Sequence, residues 1–393
     1  MIVGVVRNDR RSSLRKIAVI AGMVLLAGCK VIPKGVPQVQ APPPPVDLPS
    51  ASVLPSDAQR HRVALLVPLS GANAAVGQSI ANATTMALLD TNDRNLRITT
   101  YDTATGAQAA AARAIAEGNR LILGPLLSED VTTVAAATRA ARVPMIAFSN
   151  DSGVAAADVF VLGHVPAQSV ARVVSYAKSA GLSRFAALVP AGEYGQRASA
   201  ALVASARAAG GSVTAIEVYD RGNTSVTSAA ARLKAKGGYD AVLIADGSRM
   251  AVRAGPLLKT PGATAPRILG TELWAGEGTV LASPALRGGW FAAVSDTRYR
   301  QFVSSYKARF GNQPHRISTL GYDGVLLAIR VARDWKPGTP FPTRKLTDKG
   351  GFLGLDGAFR FGPDNVAERA WEVREVGNGS TATVSPAPVR FAD

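Results

Sequence analysis

The sequence predicts an α/β protein whose two successive halves each form a doubly wound parallel sheet. Short runs of apolar residues such as 63–67 lack polar alternation, which is typical of strands buried on both faces. These runs alternate with alanine-rich helical segments, and the alternation restarts after a short strand at 159–162. Strands joined by helices indicate parallel sheets with helices on both faces.

Strands in the first half are predicted over 63–67, 96–101, 120–123, 143–148 and 159–162, and helices over 80–89 and 107–117. Pro68 and Gly124 follow two of these strands and mark their ends. Ser128 is placed to cap a third helix, with Glu129 and Asp130 in the first turn, where the helix dipole favours acids.

In the second half, helices are predicted over 169–179, 195–209, 225–236, 298–310 and 318–334. Strands are predicted over 185–189, 213–219, 241–245, 267–269, 289–294, 357–361 and 371–376. The amphipathic pattern of 298–310 stops at Gly311, a residue favoured just after a helix end.

The amino terminus has the pattern of a secretory signal. Five basic residues precede the apolar run 17–26, namely Arg7, Arg10, Arg11, Arg15 and Lys16. That run is too short to span a bilayer. It ends in Ala27-Gly28-Cys29, which includes the single cysteine of the chain. Residues 1–28 are therefore predicted to be a signal peptide.

This small-small-Cys ending resembles the lipobox of bacterial lipoproteins. The resemblance implies cleavage before Cys29 and lipid on its sulfur and new amino terminus, whereas the alternative is a buried core cysteine. Several acyl chains, at about 0.8 kcal/mol per buried methylene, would anchor the chain stably to a membrane. Lys30 stands where an Asp would favour retention at the inner membrane, so similarity to Gram-negative sorting implies the outer membrane, facing the periplasm.

Residues 29–59 form a proline-rich linker ahead of a globular domain at 60–393. Polyproline II rises about 3.1 Å per residue, so the linker reaches roughly 90 Å if fully extended. It is either a semi-rigid stalk or a disordered tether.

Charge and composition exclude several function classes. Loss of residues 1–28 removes five basic residues and one acid, so the net charge falls from +16 to +12. The remaining basic residues are scattered and the chain is expected to be exported, which argues against nucleic acid as a partner. The charge would then meet an anionic envelope polymer or a lipid surface, or would simply be solvated.

The sequence shows no motif for catalysis or metal binding. His61, His164 and His315 lack metal-ligand spacing, and no Gly-x-Ser-x-Gly or P-loop motif occurs. We therefore expect a non-enzymatic protein with no cofactor and no metal, the open alternative being a catalytic pair of carboxylates that sequence alone does not reveal.

Motifs at strands and at the turns that end them, between about residues 63 and 376, together resemble the type I periplasmic binding proteins, in particular the leucine/isoleucine/valine-binding group. The matching motifs are Pro68-Leu69-Ser70-Gly71, Ile122-Leu123-Gly124-Pro125, Pro144-Met145-Ile146-Ala147-Phe148-Ser149, Glu193-Tyr194-Gly195, Tyr239-Asp240-Ala241-Val242 and Gly357-Ala358-Phe359-Arg360-Phe361. The resemblance implies two lobes around a central cleft, with three chain crossings. Lobe 1 would comprise about 60–165 and 294–345, and lobe 2 about 166–293 and 346–393.

The resemblance also implies a ligand site where strands end and helices begin. Ser128 matches a serine that binds the ligand carboxylate in this group, with plain helix capping as the alternative role. Phe148, Ser149 and Asn150 end a strand on the cleft side and are suited to an ammonium and a carboxylate, unless they form an ordinary polar turn. Tyr194 matches the cleft tyrosine of lobe 2, with packing between lobes as its alternative.

One departure concerns the acid that pairs with a ligand ammonium in the amino-acid binders. Aligned from Tyr239, that position falls on Met250. Asp246 is the nearest substitute, but Arg249 beside it would favour a more acidic ligand, or the cleft binds none. An unpaired buried ammonium is costly, so binding of free amino acids is in doubt.

Two functions follow. The first resembles the outer-membrane lipoproteins of this fold that activate penicillin-binding proteins, the partner then being a peptidoglycan synthase reached across the peptidoglycan. The second is a solute-binding lipoprotein that passes an amino-acid-like ligand to an ABC permease. The stalk, the outer-membrane signal and the missing acid favour the activator over the solute-binding role.

Overall fold

The first lobe is a five-stranded parallel sheet in the order β2-β1-β3-β4-β5. The computed structural model describes residues 59–259, 265–388 and 391. The elements of this lobe are β1 (His61–Val67), α1 (Ala74–Thr91), β2 (Leu96–Asp102), α2 (Ala107–Ala116), β3 (Leu121–Leu123), α3 (Ser128–Ala141), β4 (Met145–Ala147) and β5 (Val159–Val161). Alternate residues of β1 enter different cores: Val63 and Leu65 lie on one face of the sheet and Ala64 and Leu66 on the other. The sheet is therefore buried on both faces, as predicted.

The second lobe repeats this order and adds two antiparallel strands, giving β15-β14-β10-β9-β8-β6-β7. Its elements are α4 (Pro166–Ser179), β6 (Arg184–Pro190), α5 (Glu193–Ala208), β7 (Ser212–Tyr219), α6 (Ser225–Lys236), β8 (Ala241–Ile244), α7 (Ser248–Leu258), β9 (Arg267–Gly270), α8 (Gly278–Ala282), β10 (Trp290–Ala293), β14 (Glu372–Val376) and β15 (Thr381–Ser385). In each lobe the first strand lies between the next two strands of the chain: β1 lies between β2 and β3, and β6 lies between β7 and β8. The sheet order reverses there, which makes this strand the switch point where ligands of open α/β sheets bind.

Between β10 and β14 the chain returns to lobe 1 as α9 (Thr297–Phe310), α10 (Thr319–Ala332) and the small sheet β11 (Phe352–Gly354), β12 (Gly357–Phe361) and β13 (Ala367–Arg369). Phe352, Phe359 and Phe361 pack in the same core as β1. The lobe boundary predicted at residue 346 is therefore wrong, because the aromatic residues of β11 and β12 fill the lobe 1 core. The change of lobe comes near residue 370, just before β14 joins the other sheet.

Two other expectations need correction. Ser128 does not cap α3: it is the first helical residue, Leu127 precedes it as the N-cap, and the cap carries no side-chain hydrogen bond. Five elements were missed, namely α7, α8, β11, β13 and β15. Each is short, or in the case of α7 contains an internal Pro256, so the periodic signal is weak.

Helix α5 packs directly on the end of β6 at Gly195. A Cβ built on Gly195 would lie 1.8 Å from the Pro190 carbonyl oxygen, and the equivalent Gly77 on α1 would meet Pro68 at 1.7 Å. We expect Gly195→Ala to lower the free energy of unfolding by about 1–3 kcal/mol, because backbone would have to move. Urea unfolding against Gly278→Ala, whose Cβ meets nothing within 4 Å, tests this. Equal stability of the two variants would contradict the close packing.

Candidate functional site

The carboxyl ends of the two sheets approach each other through one ion pair across the cleft. Arg197 on α5 of lobe 2 donates to Asp151, which follows β4 of lobe 1, at 2.6 Å. Arg197 also contacts Glu193 one turn earlier at 2.6 Å. Tyr194 lies three residues before Arg197, so both side chains emerge on neighbouring parts of one helix face. The end of β4 and the first turns of α5 thus line the same cleft.

A half-buried acid, Glu272, lies at the lobe 2 side of this cleft, just after β9. Tyr194 donates to Glu272 Oε1 at 2.9 Å, and Ser169 donates to Oε2. The Tyr194 hydroxyl also contacts Thr271 Oγ1 at 3.0 Å. Burial raises the pKa of the Glu272 carboxyl, and burial together with the Glu272 charge raises the pKa of Tyr194 well above its usual value. The carboxylate keeps lone pairs for a cationic ligand group, which would offset the cost of burying its charge.

Asp246 lies nearby but its carboxylate is already occupied. Arg221 donates through Nε to its two oxygens at 3.1 and 2.9 Å, Tyr219 donates at 2.6 Å, and the backbone N–H of Gly247 donates at 2.7 Å. The Arg221 guanidinium also lies over the Tyr194 ring at 5.7 Å. Asp246 would have to give up Arg221 to bind a ligand ammonium, so its charge is better explained as the partner of Arg221.

The lobe 1 side combines a core residue with polar ones. The Phe148 side chain is fully buried in the lobe 1 core, so only its backbone is available to the cleft. Ser149 is 1% exposed, and its Oγ accepts from the Asp151 N–H at 3.1 Å. Asn150 is half-buried. Ser128 Oγ has a 3.4 Å contact with Glu129, and within the described part of the chain it makes no hydrogen bond to the other predicted site residues.

The Arg197–Asp151 pair therefore holds the segment of Ser149 and Asn150 close to the helix of Tyr194. Arg221 links Asp246 to the Tyr194 ring. Met250, the position aligned with the ammonium-binding acid, is 2% exposed in the lobe 2 core. Glu272 was not among the site residues predicted from the sequence. An acid three residues after the strand predicted at 267–269 was the available signal, because ligand groups gather at strand ends. Cys29 lies outside the described residues.

A buried polar cluster, called here the hinge cluster, joins the lobe crossings. Asp356, which is 0% exposed, accepts from His164 at 2.9 Å, from Thr319 at 2.7 Å and from Arg316. His164 lies on the first crossing. Arg369 on the third crossing donates to the Leu162 carbonyl at 2.6 Å. Burial opposes ionisation of Asp356, but the charge of Arg316 and the hydrogen bond from His164 lower its pKa below the usual range. Burial and Arg369 lower the pKa of His164.

The second crossing belongs to the same network. Arg374 of β14 pairs with Asp296 and donates to the Val294 carbonyl at 3.0 Å. Arg316 reaches the same Asp296 at 3.9 Å. Charged groups from both lobes thus share partners at the crossings, where lobe closure would bend the chain.

Asp323 of α10 is buried beside this cluster and predicts a pH dependence of stability. Its Oδ1 accepts from Leu355 N–H at 2.7 Å while Oδ2 has no partner among the described residues. Burial and the charge of Asp356 raise the pKa of Asp323 to about 7. The folded state holds this proton more tightly than the unfolded state. Its stabilisation is therefore complete below about pH 4 and lost as the pH rises through about 7.

We expect Asp323→Asn to flatten this decline and to be more stable than the parent above pH 7, because the amide imitates the protonated acid. Urea unfolding between pH 4 and 8 measures it. Asp348→Asn, at an exposed acid paired with Arg330, should keep the parent profile. If Asp323→Asn showed the same dependence of stability on pH as the parent, Asp323 would not be the group that causes it.

The described residues contain neither a metal-binding cluster nor a membrane-spanning helix. No group of three or more His, Cys, Asp or Glu side chains within 59–259, 265–388 and 391 could hold a metal ion. No helix in that part of the chain is long and apolar enough to cross a membrane.

Comparison with known proteins agrees with this architecture. The family model of the periplasmic binding proteins matches residues 61–381. A curated relative, an uncharacterised protein of Rickettsia prowazekii, is 30% identical over 136 residues, which are 34% of this chain and 36% of that protein. The aligned region thus spans little more than a third of the relative's length.

Solved structures extend the similarity to nearly the whole described domain. A leucine-binding protein of Thermotoga maritima has a TM-score of 0.65 at 20% identity, covering 84% of this chain and 99% of its own. A putative branched-chain amino acid ABC transporter protein of Rhodospirillum rubrum has a TM-score of 0.71 at 20% identity, covering 83% and 100%. A solute-binding protein of Rhodopseudomonas palustris in complex with 3,4-dihydroxybenzoic acid has a TM-score of 0.67 at 19% identity, covering 84% and 97%. At these identities the likeness establishes the fold.

Proposed function

Because the chain belongs to the type I periplasmic binding proteins of the leucine and branched-chain amino acid type, we propose that it binds a small amino-acid-like solute for an ABC permease. Family membership implies a periplasmic or envelope location. Several of its structural relatives are solute-binding or substrate-binding proteins of ABC transporters, and the permease is the partner we propose for this chain.

Glu272 is the observation that carries the proposal. It is a half-buried carboxylate at the end of β9 that accepts hydrogen bonds from two hydroxyl groups. Burial raises its pKa, which means that the negative charge is held there at a cost in free energy that no cation of the described residues offsets. A ligand ammonium placed against it supplies the missing positive charge. Glu272 would thus serve as the ammonium-binding acid of lobe 2. The aligned position holds Met250, and Asp246 is already paired with Arg221.

The opposite end of the ligand would meet lobe 1. Ser149, Asn150 and the backbone N–H groups after β4 are the donors that we propose for the ligand carboxylate, together with Ser128 at the start of α3. Tyr194 would pack against the ligand while orienting Glu272. The Arg197–Asp151 pair then closes the cleft mouth over the ligand, with its side chains only 25% and 20% exposed.

A thermal-shift panel on residues 59–393 tests this function. A ligand at about 100 times its Kd stabilises by about 2.7 kcal/mol, which should raise the melting temperature by about 5 °C. We expect such a shift with one or more α-amino acids and none with their des-amino carboxylates, which lack the ammonium. Equal shifts with the carboxylates would contradict the role of Glu272. A flat panel would contradict the transport function.

The second candidate is activation of a penicillin-binding protein, a peptidoglycan synthase, by an outer-membrane lipoprotein anchored through Cys29. The ion pairs Arg197–Asp151 and Arg221–Asp246 favour it, since they satisfy charged groups of the cleft without a ligand. The predicted stalk at 29–59 would carry the domain away from its membrane. A flat panel, followed by retention of a purified penicillin-binding protein on the immobilised domain, would support this candidate, and absence of retention would contradict it.

A further inference from the structure

A basic pocket of about 590 Å³ lies at the pole of lobe 2 opposite the cleft, where strands β6, β8, β9 and β10 begin. Four cationic side chains line it. Arg184 at the start of β6 pairs with Asp240, and the other three come from separate segments: Lys259 after α7, Arg267 at the start of β9, and Arg287 before β10. No catalytic or ligand-binding role considered above uses them. They are too far from the strand ends at the cleft to belong to that site, since the strands between run the full depth of the sheet.

The positive charge of this pocket is poorly balanced. Lys259 donates to the Arg287 carbonyl at 3.1 Å and Arg287 donates to Asn378 at 2.7 Å, both uncharged partners. Arg267 stacks on Trp290 at 4.2 Å, donates to the Gly288 carbonyl, and reaches Glu375 only at 4.0 Å. Residues 260–264, which follow Lys259, are Thr-Pro-Gly-Ala-Thr and carry no charge.

Two acids are close to these cations, Asp240 in the pocket lining and Glu375 beside Arg267, and both are already engaged. Asp240 accepts from Arg184 at 2.7 Å and from the Ser183 N–H at 3.0 Å, which holds its pKa at about 2. Glu375 also accepts from Trp290 at 2.8 Å. Burial and the neighbouring Arg267 lower the pKa of Lys259, as expected for a cation that lacks a counter-charge.

We propose that this pocket binds the phosphate group of an organic phosphate, with Lys259, Arg267 and Arg287 as its cationic ligands. A phosphate offers separate oxygens to donors that arrive from several directions, whereas one arginine fork already satisfies a carboxylate. The pocket is larger than a phosphate ion, and Leu182, Pro266 and Ile268 provide apolar surface for the attached organic group. A soluble phosphate ester and a phospholipid headgroup share this chemistry.

Calorimetric titration of the full chain with glycerol 3-phosphate, and co-sedimentation with phosphatidylglycerol or phosphatidylcholine vesicles, distinguish the two sources. The test variant is Lys259→Gln/Arg287→Gln, which spares Arg267 and its packing on Trp290. The matched control, Lys234→Gln/Arg207→Gln, removes the same charge at exposed lobe 2 positions outside the pocket. We expect the pocket variant to weaken binding by roughly tenfold or more and the control to change it little.

Binding of glycerol 3-phosphate with that variant pattern supports a soluble ester, and binding only to phosphatidylglycerol vesicles with the same pattern supports a headgroup. Equal weakening in both variants would overturn the proposal in favour of general charge attraction. Absence of binding by the parent chain to either probe would also overturn it. Circular dichroism of the variants checks that a loss of binding is not a loss of folding.

Discussion

Asp356→Ala is expected to lower the free energy of unfolding by about 3–5 kcal/mol, because it leaves buried cations without their counter-charge. Asp356 is fully buried and accepts from His164, Thr319 and Arg316. Its removal would leave the Arg316 guanidinium, only 20% exposed as a side chain, with Asp296 at 3.9 Å as its remaining acid. Urea unfolding at neutral pH measures the loss.

Asp348→Ala is the matched control. Asp348 and Arg330 are each about half exposed and lie 3.3 Å apart, so the pair should contribute at most about 1 kcal/mol. Asp356→Asn keeps hydrogen-bonding atoms but not the charge, and should fall between the parent and Asp356→Ala. A loss in Asp356→Ala no larger than that in the control would mean that the hinge cluster does not hold the crossings together.

Glu272→Gln is expected to weaken binding of an amino acid ligand by about 2–5 kcal/mol, which is roughly 30-fold or more in Kd. The substitution keeps the size of the side chain but removes the charge that pairs with the ammonium. The unliganded protein should become more stable, because burial raises the pKa of Glu272 and a neutral amide escapes that cost. Calorimetric titration and thermal melting of the same samples measure both effects.

The opposite signs separate a binding role from a structural one. A residue needed only for folding would lower stability and affinity together. Glu217→Gln is the control: Glu217 pairs with Arg232 at 2.7 Å on the outer strand β7, so ligand affinity should stay at the parent value. Unchanged affinity in Glu272→Gln would contradict the placement of the ammonium.

The sequence predicted the two α/β lobes because the evidence for them is local. Runs such as 63–67 and 241–245 are wholly apolar, and the structure buries them on both faces of their sheets. The position of the small sheet formed by β11, β12 and β13 was not predictable in this way. Strands β11 and β13 have only three residues each, and whether they pack on lobe 1 or lobe 2 depends on long-range contacts of Phe352 and Phe359.

The candidate site was predictable in location but only partly in its residues. Tyr194 and Ser149 could be predicted because they follow strands whose ends are clear in the sequence. The role of Asp246 could not be judged, since its partners Arg221 and Tyr219 come from a different strand end. The buried state of Phe148 likewise depends on α10, where Gly324 lies against its ring.

A crystal structure of residues 59–393 grown with a mixture of the proteinogenic amino acids tests the central claim most directly. We expect one amino acid in the cleft, its ammonium within hydrogen-bond distance of Glu272 and its carboxylate against Ser149 and Asn150. An empty cleft, closed by Arg197 and Asp151 in the same way with and without the mixture, would contradict solute binding and favour the protein-interaction role.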